Sequence, residues 1–186
     1  MTDIADNLSQ ALSSVVSGLG DVVSTTRDVT KNTIVKSLQA GGDVATTSVD
    51  VVGQVVSEGL AVATKTGVSA TQAATGLVSG AIEGVKEVGG DVGSGANEAA
   101  HGAVKGVSSI GGDIGEVAVS AVEGAIQAAH DIGEDAGKLA KDAVIGTLKA
   151  ADEIGSEAGD IIRKALLNAA ALPHDVIDAL LTGKTE

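Results

Sequence analysis

The chain of 186 residues has no Phe, Trp, Tyr or Cys, and only one Met and one Pro. Without cysteine there is no disulfide framework, thiolate nucleophile or cysteine zinc site. Aromatic side chains supply the largest buried areas, so their absence rules out a thick core and disfavours an ordinary globular enzyme. Cations are also scarce: 12 Lys and Arg against 25 Asp and Glu give a net charge of −13, with most of the deficit in the second half. Clustered cations and stacking aromatics are what a nucleic acid requires, so nucleic acid is not expected as a partner, and an anionic membrane is disfavoured. The start, MTDIADNLSQALSSVV, carries two Asp where a secretory signal carries Lys or Arg. An unexported chain is expected, cytoplasmic or peripheral to a membrane or inclusion surface. The longest uncharged run, 17 residues from Thr66 to Ile82, is short for a membrane span and diluted by Thr, Ser, Gln and Gly.

What the chain does have is Ala, Val and 26 Gly, arranged with a period of 22 residues. From Gly80 it reads GAIEGVKEVGGDVGSGANEAAH, and from Gly102 GAVKGVSSIGGDIGEVAVSAVE. From Gly124 it reads GAIQAAHDIGEDAGKLAKDAVI, and from Gly146 GTLKAADEIGSEAGDIIRKALL. Residues 80–167 thus hold four strong units, and residues 10–75 hold three weaker ones starting at Gln10, Asn32 and Gln54. In this frame four extra residues, 76–79, stand between the third and fourth units, and the whole of 1–186 is one repeat array.

Twenty-two is twice eleven, and eleven residues close to three helical turns. On that wheel Ala81, Val85, Val88, Val92, Ala96 and Ala99 form one apolar stripe, with the charged positions opposite. Glycines fall on the two shoulders: Gly80, Gly84, Gly102 and Gly106 on one, and Gly111, Gly115, Gly133, Gly137, Gly155 and Gly159 on the other. These ten are the expected helix-packing residues, since small side chains let helices approach closely. The expected fold is all-α: long amphipathic helices as a hairpin or rod that packs into a bundle or filament. Gly-Gly-Asp reads as a C-terminal glycine followed by an N-cap, and turns are available at 20–21, 41–43, 89–91 and 111–113. Lys65 and Ser156-Glu157 lack that chemistry, so a break in every unit is not expected. A single hairpin turn would sit at the densest glycine cluster, 89–95. Pro173 suits the first position of a short terminal helix in 173–186.

The residues that carry chemistry elsewhere make no recognised site. His101, His130 and His174 have no ligand partner at a metal spacing and are expected to face solvent. The acids Asp131, Glu134 and Asp135, or Asp152, Glu153 and Glu157, lie on or near the polar face, where solvated charge is the default. GGDVGSG lacks the strand before it and the Lys-Ser/Thr after it that a phosphate loop needs. No enzyme, cofactor, metal or small-molecule substrate is expected.

The segments TKTGV at 64–68, IEGV at 82–85 and VKGV at 104–107 resemble synuclein repeats. The Gly/Val/Thr texture of 18–80 is similar to perilipin repeats, and the Ala-rich tail to late-embryogenesis-abundant proteins. The resemblance implies a helix on a lipid or droplet surface, or a stress protectant. Those families flank the apolar stripe with Lys, whereas here the shoulders are Gly and the polar face is acidic, which leaves neutral lipid as the surface to expect. The reading from the residues themselves is a structural homo-oligomer whose wide Ala/Gly/Val face packs on copies of itself. The lipid coat and the desiccation or cold protectant are its alternatives.

Overall fold

The computed structural model describes residues 21–40 and 48–173, together with 6, 9, 10 and 13. It contains seven helices among the described residues: α1 Val22–Ala40, α2 Ser48–Lys65, α3 Ala70–Glu87, α4 Val92–Ser109, α5 Ile114–Ile132, α6 Ala136–Ile154 and α7 Ser156–Asn168. No helix among the described residues is long and apolar enough to cross a membrane. The expected long hairpin or rod is therefore corrected. The chain turns after every helix from α2 to α6, not once at 89–95.

The reason lies in the glycines. Gly67, Gly89, Gly111, Gly133 and Gly155 all have positive φ, a conformation that costs any other residue about 1–2 kcal/mol. After four of them the next amide bonds back to a carbonyl of the helix just ended: Val68 to Ala63, Gly90 to Val85, Gly112 to Val107 and Glu134 to Ala129, all at 2.8–3.0 Å. Asp91, Asp113 and Asp135 then cap the next helix, each carboxylate accepting from the amide three residues on at 2.8–2.9 Å. At Gly67 and Gly155 the glycine ends the helix with no side-chain cap after it, so aspartate is not required for the turn. The proposed turns at 20–21 and 41–43 involve residues outside the described ones.

Helices α2 to α6 begin at Ser48, Ala70, Val92, Ile114 and Ala136, a constant step of 22, whereas α2 begins 26 residues after Val22. The extra four residues thus stand between α1 and α2. The positions 76–79, where the sequence frame put them, lie inside α3. Four residues are close to one helical turn, so either placement keeps the apolar stripe in phase.

Consecutive helices run antiparallel through turns of one to four residues from α2 onward, and the most extensive contacts join helices two apart. The odd-numbered helices form one row and the even-numbered ones a second row packed on it. Within a row the helices are parallel: Gly76, Gly80 and Gly84 of α3 climb past Val23, Arg27 and Lys31 of α1 in the same order. The core between the rows is thin and lined by Ala and Val. Ala81, Ala96 and Ala99 of the expected stripe are fully buried and Val85 nearly so, and the largest buried side chains are Ile34, Leu60, Leu77, Ile82, Leu139, Ile162 and Leu166.

Among the described residues two buried side-chain polar atoms, Thr26 Oγ1 and Arg27 Nε, have no hydrogen-bond partner. Thr26 Oγ1 lies in the α1–α3 contact, 1 % exposed, without a hydrogen bond. An unsatisfied buried hydroxyl costs about 1–3 kcal/mol. Thr26→Val, which keeps the shape, is expected to raise stability by about 1 kcal/mol in urea unfolding; a lowered midpoint would refute this.

Candidate functional site

The features that distinguish this molecule chemically are two glycine seams, one in each row, and the charged faces above them. In the even row a side-chain carbon added to Gly102 would lie 2.8 Å from the Gly53 Cα of α2, and one on Gly106 would lie 2.9 Å from the Ser57 carbonyl oxygen. Gly146 of α6 stands equally tight on Asn97 of α4. In the odd row Gly80 meets the Arg27 backbone at 2.9 Å, and Gly124 of α5 meets the Thr75 carbonyl at 2.6 Å. Distances below 3 Å leave no room for any side chain, so these helices touch backbone to backbone.

Of the ten glycines singled out from the sequence, Gly80, Gly84, Gly102 and Gly106 lie in these seams. Gly115 takes Ala165 and Ile161 of α7 at 3.1 and 3.2 Å. Gly159 is buried but faces only Arg163 of its own helix, and Gly137 is half-buried. Gly111, Gly133 and Gly155 do not pack: they are turn residues with open space where a side chain would be. On a continuous helical wheel these three fall on a shoulder of the apolar stripe, and the turns take them out of it. Gly76, Gly124 and Gly146 are seam glycines that the set missed. Gly124 and Gly146 open repeat units, but four residues later stand Ala128 and Ala150 in place of a second glycine.

Close approach lets side chains bridge helices two apart. On the odd row Arg27 reaches Glu83 of α3 at 3.6 Å and, across α3, Asp131 of α5 at 2.9 Å. Lys31 pairs with Glu87 at 3.0 Å, and Lys86 with Glu134. On the even row Lys149 pairs with Glu98 at 2.9 Å and Lys105 with Glu153 at 2.7 Å. His101, expected to face solvent, is instead largely covered between two carboxylates, Glu153 at 3.1 Å and Glu98 at 3.8 Å. His130 is exposed, and His174 lies outside the described residues. The hydrogen bonds from Lys105 and then His101 hold the Glu153 carboxyl below its ordinary range, and those to Glu87 and Glu98 raise Lys31 and Lys149. Pairs of this kind lie at the surface, where solvent screens them and each adds little to stability.

No known family model and no curated protein matches this chain.

Among the described residues the even-row face carries a groove and a smaller hollow. A groove of about 310 Å³ runs over the Gly53–Gly102 contact, bordered by Asp50, Gln54, Ser57, Glu98, His101 and Lys105. His101 and Lys105 on its border pair with Glu153, and Glu98 with Lys149, and among the described residues no three His or carboxylate groups stand close enough to share a metal ion. A smaller hollow of about 190 Å³ is bordered by Gly93, Ser94, Asn97, Glu98 and Asp142. Here Asp142 of α6 lies against Gly93, its Oδ2 2.6 Å from where a side chain would start. Burial raises the Asp142 pKa, and the neighbouring Asp91 adds to this, against Lys138 and Lys141, which lower it. The native state therefore holds the Asp142 proton more tightly than the unfolded chain. The resulting penalty is fully present above the folded pKa and fades as pH falls towards the ordinary value of 3.8. Asp142→Asn is expected to raise Tm at pH 7 by about 1–2 °C, with the gain shrinking as pH is lowered. A gain that grows towards acid would contradict this. Asp91 acts in the opposite sense: the Ser94 amide lowers its pKa, so its contribution is lost below 3.8.

Proposed function

We propose that the chain is a non-enzymatic structural protein that works through its shape and through association with copies of itself. The observation that supports this reading is the pair of backbone-on-backbone glycine seams. They join helices two apart, in the manner of stacked units that each bury what a single helix cannot. The wide Ala/Gly/Val face is already covered within one chain, so association between copies falls to the outer surfaces of the array. The same burial removes the apolar arc that a lipid coat needs, which is why self-association is preferred to a lipid-surface role.

Light scattering and electron microscopy on purified, lipid-free protein test the reading. A helical particle is expected whose mass rises above the 18.0 kDa of one chain as concentration increases, in assemblies of constant width. A chain that stays monomeric at millimolar concentration would overturn the self-association. A chain that becomes helical only on neutral liposomes would favour the lipid coat instead.

A further inference from the structure

Each seam makes its demand on only one of its two helices. The later helix in a row brings the small residue: Gly80 and Gly84 in α3, Gly102 and Gly106 in α4, Gly124 in α5 and Gly146 in α6. Ala128 and Ala150 stand four residues after the last two, and all of these positions are buried. The earlier helix receives them on its backbone, and residues of any size do so. Gly80 lies on Arg27 and Gly84 against Ile34 and Lys31, just as Gly102 lies on Gly53, Gly106 on Ser57 and Gly146 on Asn97. A long side chain on the receiving helix is harmless, because carbonyl and Cα make the contact. A side chain in place of the glycine stands between the two helices. Bulk therefore closes such an array at its first helices and not at its last.

Two steps of 22 towards the start of the chain carry Gly102 and Gly106 of α4 to Glu58 and Val62 of α2. Between α3 and α1 the four extra residues lengthen the step, as they do from Thr75, beneath Gly124, to Arg27, beneath Gly80. Gly80 and Gly84 thereby become Asn32 and Lys36. Positions that are Gly or Ala in every helix from α3 to α6 thus hold Asn, Lys, Glu and Val where the rows begin. Asn32, Lys36 and Glu58 are exposed and Val62 is half-buried. Helix α7 lies outside this rule, since it meets α5 with Ile161 and Ala165 on Gly115.

We propose that the edge formed by α1 and α2 is closed to a helix from a second copy of this chain, and that Asn32, Lys36, Glu58 and Val62 close it. A single carbon added to Gly102 already lies 2.8 Å from the Gly53 Cα, and Glu58 sets a whole side chain at the matching place. A second copy does carry exposed receiving positions. Lys141 and Ile145 of α6 stand two and four steps of 22 on from Asn97 and Ser57. Identical chains with an open glycine edge would join head to tail without limit. Closing one edge is enough to prevent this, because every seam needs the small residues of one partner. Copies are left to meet on the row faces. The closure goes beyond the structural reading and holds whether or not copies associate there.

The test is to open the edge. The full chain is given Asn32→Gly, Lys36→Ala, Glu58→Gly and Val62→Ala, the residue types of α3 to α6. Light scattering at micromolar protein compares it with the unmodified chain and with Lys36→Met plus Glu58→Gln, which removes the same two charges and keeps the bulk. The opened variant is expected to reach about twice the mean mass or more at a concentration where the other two share one value. Its far-ultraviolet circular dichroism is expected to match that of the unmodified chain. Should the fourfold variant lose that signal, the α2 pair alone, Glu58→Gly with Val62→Ala, takes its place with the same expectation. A helical opened variant whose mass follows the unmodified chain would overturn the proposal, since bulk at this edge would not be what keeps copies apart. An equal rise in the charge-only variant would do the same, assigning the effect to lost charge.

Discussion

Gly146→Ala is expected to destabilise the fold by about 3 kcal/mol, although the same change in an exposed helix stabilises by about 1 kcal/mol. The sign is decided by what the methyl group would meet. It would overlap the Asn97 peptide of α4, whose carbonyl carbon and Cα lie 2.8 and 3.1 Å away. A flexible side chain can turn aside, but a helix backbone cannot. The two helices must part along their whole contact, and a gap of about 1 Å forfeits up to half of each dispersion contact it opens. Urea unfolding followed by circular dichroism measures the loss, with Gly89→Ala as the comparison. Gly89 has φ +76° and no atom within 4 Å of the added carbon, so its cost is backbone strain alone, about 1–2 kcal/mol. If Gly146→Ala proves no worse than Gly89→Ala, the seams do not hold the rows together.

Leu77→Ala is expected to cost about 3–4 kcal/mol, within the range measured for buried leucines. Leu77 is fully buried in α3, the helix that touches α1, α2, α4 and α5. Its own helix offers Ala73, Ala74 and Ala81 nearby on the buried side, and side chains that short cannot swing in to fill the space left. In a core without aromatic residues the few Leu and Ile carry a disproportionate share of the burial. The exposed Ile145→Ala, by contrast, is expected to change stability by about 0.5 kcal/mol or less. Chemical unfolding of the two variants side by side measures the contrast; equal losses would mean that burial at Leu77 is not what stabilises the array.

Much of this packing is legible in the sequence because a glycine that recurs on one shoulder of a helix has few other uses. Gly80 with Gly84, and Gly102 with Gly106, announce their seams by the four-residue repeat. Gly124 and Gly146 do not, because an alanine suffices at the second position of their pairs. The turns were harder to read. Gly67 and Gly155 end helices without an aspartate after them, so their signal is a lone glycine, indistinguishable in a string from one inside a helix. The cross-row ion pairs were not legible at all. Glu98 and Lys149, or His101 and Glu153, are 51 and 52 residues apart, and nothing local marks them. Their meeting depends on how far one helix slides along another, which the seam fixes only once the chain has folded back in every unit.

The seam also has an arithmetic. Gly102 on Gly53, Gly124 on Thr75 and Gly146 on Asn97 each join positions 49 apart, the first and third in the even row and the second in the odd. One screw operation, applied again and again, therefore generates the interior of the array. Length becomes a countable property of the gene: inserting or removing 22 codons between α2 and α6 adds or deletes one rung and moves the later helices to the opposite row in the same 49-residue register, and 44 codons leave each of them in its own row. A cut that is not a multiple of 22 would move these glycines off the backbones they meet.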